Sequence, residues 1–181
     1  INFIVNECDS TANVLPVNYS SNDLGRVTKG AALALKSRVL LYAASELFNA
    51  SPNENSGLTS LSGDRLTKWE TAANAAKTLI DLGGTGYALD GNYTNLFRTY
   101  NSPEIILARR GGASNRFEKT SYPIGYDLGN SGTTPSQNLV DDYEMTDGSR
   151  FDWNNPDHAV NPYSNRDPRL KYTVLTNNTQ F

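Results

Sequence analysis

Thr28-Lys29-Gly30-Ala31-Ala32-Leu33-Ala34-Leu35-Lys36-Ser37-Arg38-Val39-Leu40-Leu41-Tyr42-Ala43-Ala44-Ser45 is the stretch that decides the fold. Thr28 is a good N-cap residue, and the apolar periodicity that follows predicts a helix running to about Asn49. Ala32, Leu35, Val39 and Tyr42 form one stripe, and Leu33, Leu40 and Leu47 form a second. Lys29, Lys36, Arg38 and Glu46 fall mostly to the sides. So wide an apolar surface is expected to be covered by neighbours on more than one flank.

Working outward, Ile4, Cys8, Ala12 and Leu15 recur at helical spacing before Pro16, which predicts a preceding helix from Ile1 to about Leu15. A polar loop with Asn18, Ser20, Ser21, Asn22 and Gly25 joins the two. Downstream, Pro52, Asn53, Asn55, Ser56 and Gly57 predict a surface loop to about Asp64. Thr67-Lys68-Trp69-Glu70 then fits a capping box and predicts a helix start. Trp69, Ala72, Ala73, Ala76 and Ile80 would share one face, and Gly83-Gly84 would end the helix. The two starts at Thr28 and Thr67 are separated by slightly more than the roughly 34-residue tetratricopeptide period.

Beyond Gly86 the character changes. Tyr87, Tyr93, Phe97 and Tyr100 lie among Asn, Gly and Thr, and Glu104-Ile105-Ile106-Leu107 reads as a short strand. From Gly111 to Asn138 the chain is too polar for continuous regular structure, and long ordered loops of this kind often carry binding sites. The expected division is a helical part over 1–86 and a loop-rich part over 87–181.

Composition narrows the function. At 181 residues one compact domain, or a piece of one, is expected. Sixteen Lys and Arg against nineteen Asp and Glu leave a net charge of −3, too balanced for a polyanion surface, so nucleic acid is not an expected partner. No stretch approaches the roughly 20 apolar residues that a membrane helix needs. Cys8 is the only cysteine, which rules out an internal disulfide and a cysteine metal cage; it reads as a small buried hydrophobe. His158 is the only histidine, so a two-histidine zinc site cannot be assembled from this chain. Any Ser-His-Asp triad would have to use His158, yet no G-x-S-x-G elbow occurs.

Asp141, Asp142, Glu144, Asp147 and Asp152 form the densest acidic group. Glycoside hydrolysis requires a carboxylate pair, but a solvated turn around Asp147-Gly148 accounts for several of them. Their spacing does not match a D-x-[DN]-x-[DN]-G calcium loop. Gly83-Gly84-Thr85-Gly86 follows a helix and no strand, the wrong order for cradling a phosphate. The Asn-x-Ser/Thr triplets at Asn18, Asn49, Asn92 and Asn177 matter only in a eukaryotic secretory host. No metal and no cofactor are expected.

Trp153 is the residue with a chemistry of its own. It sits in Phe151-Asp152-Trp153-Asn154-Asn155-Pro156, where an indole face can stack on a sugar while Asn and Asp side chains bind hydroxyls. The same ring could instead plug a gap beneath the loop. Tyr126, Tyr143 and Tyr163 carry the same two readings.

Several runs, taken in order, resemble the SusD/RagB family. They are Gly25 to Lys36 and Arg38 to Ser45; Trp69 with Ala72, Ala73 and Ala76; Tyr93, Leu96 and Phe97; Glu104-Ile105-Ile106; Thr134 to Asp141; Tyr143-Glu144-Met145; Asp147-Gly148; and Asn165-Arg166-Asp167-Pro168-Arg169-Leu170. The resemblance implies a mainly α fold, a tetratricopeptide-like helical scaffold with a loop-rich, irregular α+β portion that carries the ligand site. It implies a surface-exposed lipoprotein of the outer membrane in Bacteroidetes-type bacteria, acting as the lid of a TonB-dependent SusC-like transporter. Such a protein captures an oligosaccharide or polysaccharide and passes it inward unaltered, so the chain is expected not to be an enzyme.

Family members are usually several hundred residues long with a lipidated N-terminal Cys. Cys8 lies inside a helical pattern, so the anchor is expected upstream and further helices beyond Phe181. The family's ligand aromatics vary with the glycan and do not transfer by motif. Trp153, Tyr143, Tyr126 and Asn154 are therefore nominated from chemistry and loop position, whereas Arg166, Asp167 and Arg169 are expected to make internal bonds around Pro168. Two other roles stay open: a scaffold segment that touches the transporter but no ligand, and a glycoside hydrolase using two of Asp141, Asp142, Glu144 and Asp152.

Overall fold

The computed structural model describes residues 1–49, 61–84, 86–109, 111–177 and 179. The loop expected at Pro52, Asn53, Asn55, Ser56 and Gly57 lies outside them. The chain divides into two compact units, Ile1–Arg110 and Gly111–Phe181.

The first unit is built on three helices, α1 (Asn2–Val14), α2 (Lys29–Ala44) and α3 (Arg65–Ile80). The Thr28 hydroxyl accepts the Ala31 N–H at 3.2 Å and caps α2 as the sequence predicts. Helix α1 runs antiparallel to α2: the Lys29 N–H bonds the Pro16 carbonyl at 2.9 Å, and Lys36 Nζ reaches both Asp9 oxygens at 2.7 and 2.8 Å. On the other flank, Arg65 Nε donates to the Ala44 carbonyl at 3.2 Å while Leu79 and Leu82 pack near the start of α2, so α3 is antiparallel as well. Ala12, Ala32 and Leu33 form the buried core beneath these contacts. Cys8 is buried in α1, and burial followed by the neighbouring Asp9 carboxylate pushes its thiol pKa up.

Three expectations shift. Helix α2 stops at Ala44 and not near Asn49, because Ser45 turns extended and a 3₁₀ turn, Glu46–Phe48, follows. Asn49 closes that end by donating to the Ala43 and Ser45 carbonyls at 2.8 and 2.7 Å. Both flanks of α2 are covered, yet Leu35, Tyr42 and Leu47 remain 50%, 59% and 65% exposed. Helix α3 begins before the Thr67 capping box: Asp64 is the cap, its carboxylate accepting the Thr67 N–H at 2.8 Å and the Thr67 hydroxyl at 3.0 Å. The buried face is correspondingly Ala72 and Ala75 with Leu79, while Ala73 and Ile80 face outward. A neighbouring residue on a helix lies about 100° around the axis, which is the size of that discrepancy.

After Gly84, whose φ of 88° suits a chain leaving a helix, the compositional change read at Gly86 does not coincide with the boundary between compact units. Tyr87 explains why the next segment stays with the helices. Its hydroxyl donates to the Val17 carbonyl at 3.2 Å, so the Thr28 hydroxyl, 2.8 Å away, must donate to Tyr87. Gly30 lets the ring approach, since a Cβ there would lie 2.4–2.5 Å from Tyr87 ring atoms. Short helix α4 (Tyr93–Leu96) follows, capped by Asn92 and braced by an edge-to-face pair of Tyr93 and Phe97 at 5.6 Å.

The strand read at Glu104-Ile105-Ile106-Leu107 is irregular instead, with a turn at Pro103-Glu104 and a bend at Ile106. Glu104 accepts the Asp90 N–H at 2.9 Å and the Ser102 hydroxyl donates to Asp90 at 2.6 Å, so local side-chain bonds replace a ladder. Among the described residues there is no strand; isolated bridges pair Ile124 with Tyr126 and Met145 with Arg166. The β part of the expected α+β portion reduces to these.

The second unit holds α5 (Arg116–Ser121), α6 (Gln137–Asp141), α7 (Pro156–Val160) and α8 (Pro168–Thr173). Asn155 and Asp167 cap α7 and α8, each followed by Pro at the first helical position, where its missing N–H costs nothing. Val140, Leu170 and Val174 are buried together with Tyr143 against them. Between α5 and α6 the polar segment is held by main-chain bonds such as Thr133 N–H to Thr120 carbonyl at 2.7 Å.

Asp64, Asp90, Asp147 and Asp167 are all held below the usual carboxylate pKa, chiefly by hydrogen bonds from Thr67, Ser102, Ser149 and Arg169 respectively. A carboxylate depressed in the folded state contributes stability above its unfolded value, about 4, and loses it as pH falls through the lower folded value. Calorimetric melting midpoints are therefore expected to fall as pH is taken from neutrality through and below about 4. Asp64→Asn, which still caps but carries no charge, is expected to flatten that acid decline.

Candidate ligand-binding site

The candidate site lies in the second unit, on the loop between α6 and α7. Trp153 is 48% exposed, so it is neither a core plug nor a free side chain. Its indole N–H donates to Asp141 Oδ2 at 2.9 Å, and Asp141 sits at the last position of α6. The Trp153 and Phe151 rings meet edge-to-face, with centroids 4.9 Å apart and an 85° interplanar angle, a favoured aromatic arrangement. Asp152 beside it accepts the Asn154 N–H at 2.8 Å and the Asn154 side-chain amide at 3.0 Å, folding the tip of the loop. His158 closes the loop from α7: its Nδ1 accepts the Asp152 N–H at 3.2 Å, and its ring stacks on Phe151 at 5.5 Å.

Beneath Phe151 lies Arg166, 6% exposed and with its guanidinium carbon 4.2 Å from the ring centroid. Its planar fork donates to four main-chain carbonyls: Nε to Tyr143 at 3.0 Å, Nη1 to Pro162 at 2.7 Å, and Nη2 to Val140 at 2.5 Å, Tyr143 at 2.6 Å and Asp141 at 3.4 Å. Burial lowers the Arg166 pKa, with Asp141 and Tyr163 acting in the opposite direction; an arginine nevertheless stays charged at any physiological pH. As expected, Arg166 works internally, and Asp167 and Arg169 pair with each other across the start of α8.

The other nominated residues are not gathered around Trp153 to the same degree. Asn154 adjoins it and is exposed, with its amide committed to Asp152. Tyr143 packs against Val140, Leu170 and Val174, a core position. Tyr126 is 46% exposed in a turn, with Tyr122 6.2 Å away. Tyr163 lines a cleft of about 290 Å³ with Thr146, Asn165, Arg166 and Lys171. Sequence reasoning missed Phe151 as the brace of Trp153; the alternation Phe151-Asp152-Trp153 beside a lone histidine was the available signal.

The acidic group is dispersed by its bonds. Asp141 holds Trp153 and Gln137, Asp147 binds Ser149 in a local turn, and Asp152 binds Asn154. Among the described residues no cluster of three or more His, Cys, Asp or Glu is arranged to hold a metal ion. In the first unit a cavity of about 590 Å³ between α1 and α2 is lined by Phe3, Ile4, Cys8, Leu35 and Leu107, with Glu7 and Arg38 also on its walls.

Comparison with known proteins fits a mainly helical fold. Residues 103–181 match the model of the SusD family. Among solved structures, a SusD-like protein from Bacteroides fragilis aligns with 94% of this chain at 26% identity and a TM-score of 0.63. The alignment covers 33% of that protein, so the chain spans about a third of its length. No curated protein matches. Residues 103–181 are thus similar to the SusD family, and the chain shares the fold of a SusD-like protein.

Proposed function

We propose that this chain is part of a glycan-binding outer-membrane lipoprotein that captures oligosaccharides at the cell surface. It hands them, chemically unaltered, to a SusC-like TonB-dependent transporter. Similarity to the SusD family supports the nutrient-binding role, and attachment to the membrane through a lipid anchor belongs to the same reading. No helix among the described residues is long and apolar enough to cross a membrane. In this reading 1–86 is the tetratricopeptide-like scaffold and 87–181 carries the ligand.

The observation that carries the proposal is Trp153: half-exposed, fixed by Asp141 and Phe151, and flanked by Asn154 and Asp152. A sugar ring offers an apolar face and a rim of hydroxyls. An immobilised indole stacks on the first, and amide and carboxylate groups bind the second. Because the ring is already ordered, little side-chain freedom remains to be lost on binding. Titration of the intact protein with a panel of linear and branched oligosaccharides is expected to reveal binding to at least one, with the sugar recovered at its original length. New reducing ends after incubation would instead support a glycoside hydrolase. Transporter capture without any glycan affinity would support a scaffold role.

A further inference from the structure

The indole of Trp153 is held from two directions, and both lead to one buried side chain. Its N–H is anchored on the Asp141 carboxylate, and Arg166 donates to the main-chain carbonyls of Val140 and Asp141 at the end of that same helix. Its ring packs edge-to-face with Phe151, whose face lies against the Arg166 guanidinium at 4.2 Å. Arg166, Asp141, Trp153 and Phe151 thus form a closed ring of contacts. Only a planar guanidinium both forks to several carbonyls and presents a flat surface to an aromatic ring; an ammonium does the first in part and the second poorly.

We propose that Arg166 is the positioning residue of the Trp153 platform, fixing through Phe151 and Asp141 the face that the indole presents. The purpose assigned to that face rests on the glycan-binding reading, whereas the positioning itself does not. Arg166 is 6% exposed and its guanidinium is committed to main-chain carbonyls. Its effect on binding is therefore transmitted by the orientation of Trp153.

The test is made without any ligand, so that it stands or falls separately from the glycan reading. In the intact protein labelled with ¹⁵N-tryptophan, the Trp153 indole resonance is identified by its absence in Trp153→Phe. In Arg166→Lys and in Phe151→Leu that resonance is expected to move toward the position of free tryptophan, and its heteronuclear NOE to drop toward that of a mobile side chain. The Trp69 indole, in the other compact unit, should stay where it is. A Trp153 signal unmoved in either folded variant overturns the proposal, as does one that changes only together with Trp69. Phe151→Leu leaves the carbonyl bonds of Arg166 in place and decides the matter alone should Arg166→Lys not fold.

Discussion

Arg166→Ala is expected to lower the stability of the Gly111–Phe181 unit by about 2–4 kcal/mol, since hydrogen bonds from a charged donor are worth about 1.5–3 kcal/mol each and several are lost together. The truncation strips hydrogen bonds from the carbonyls of Val140, Tyr143 and Pro162, and leaving a buried acceptor unsatisfied costs about 1–3 kcal/mol. Water entering the space vacated by the side chain would satisfy part of that loss, which keeps the total below a simple sum. The flat contact with Phe151 is lost as well. Urea titration followed through a signal from this unit is the appropriate measurement. A loss under about 1 kcal/mol would mean that the guanidinium is a surface group in solution.

Gly30→Ala sets two effects against each other. Helix propensity favours alanine over glycine by at most about 1 kcal/mol, the interior value, and Gly30 is only the second residue of α2. The new Cβ, however, would sit 2.4–2.5 Å from Tyr87 ring atoms, far inside contact distance. Tyr87 cannot step back without stretching its bonds to Thr28 and Val17. Overpacking of this kind costs about 1–3 kcal/mol, so a net destabilisation is expected. Adding Tyr87→Ala removes the obstacle, and in that background Gly30→Ala should be neutral or stabilising. Stabilisation by Gly30→Ala in the parent protein would show that the ring does not hold this position.

The scaffold was legible because its signals are local. Thr28 as a cap, the break at Pro16 and the glycines after Leu82 act within a few residues of themselves, and each marks a real helix end. Errors arose where two local signals competed. Asp64 and Thr67 are both good caps, and the helix takes the first because Thr67 then donates to it and still enters the helix. At Glu104 to Leu107 the β-branched pair suggested a strand, but a ladder needs a partner strand that a single segment cannot reveal.

The site was legible only as a residue type in a polar loop. Trp153 stood out, and the expectation that Arg166 turns inward held. What gives the ring its orientation is a set of contacts spanning residues 141 to 166, with main-chain carbonyls as acceptors. Every residue has a carbonyl, so composition carries no trace of which ones a buried arginine will bind. Tyr143 illustrates the converse: its aromatic side chain suggested a ligand contact, while its structural contribution is a core ring and a carbonyl for Arg166.

The central claim is that Trp153 forms a sugar platform, and one titration tests it most directly. The intact protein and its Trp153→Ala variant are compared calorimetrically against whichever oligosaccharide of the panel the parent binds. The account expects at least about tenfold weaker binding by the variant, equivalent to about 1.4 kcal/mol, with an unchanged far-ultraviolet circular dichroism spectrum. Equal affinity of the two proteins would contradict it.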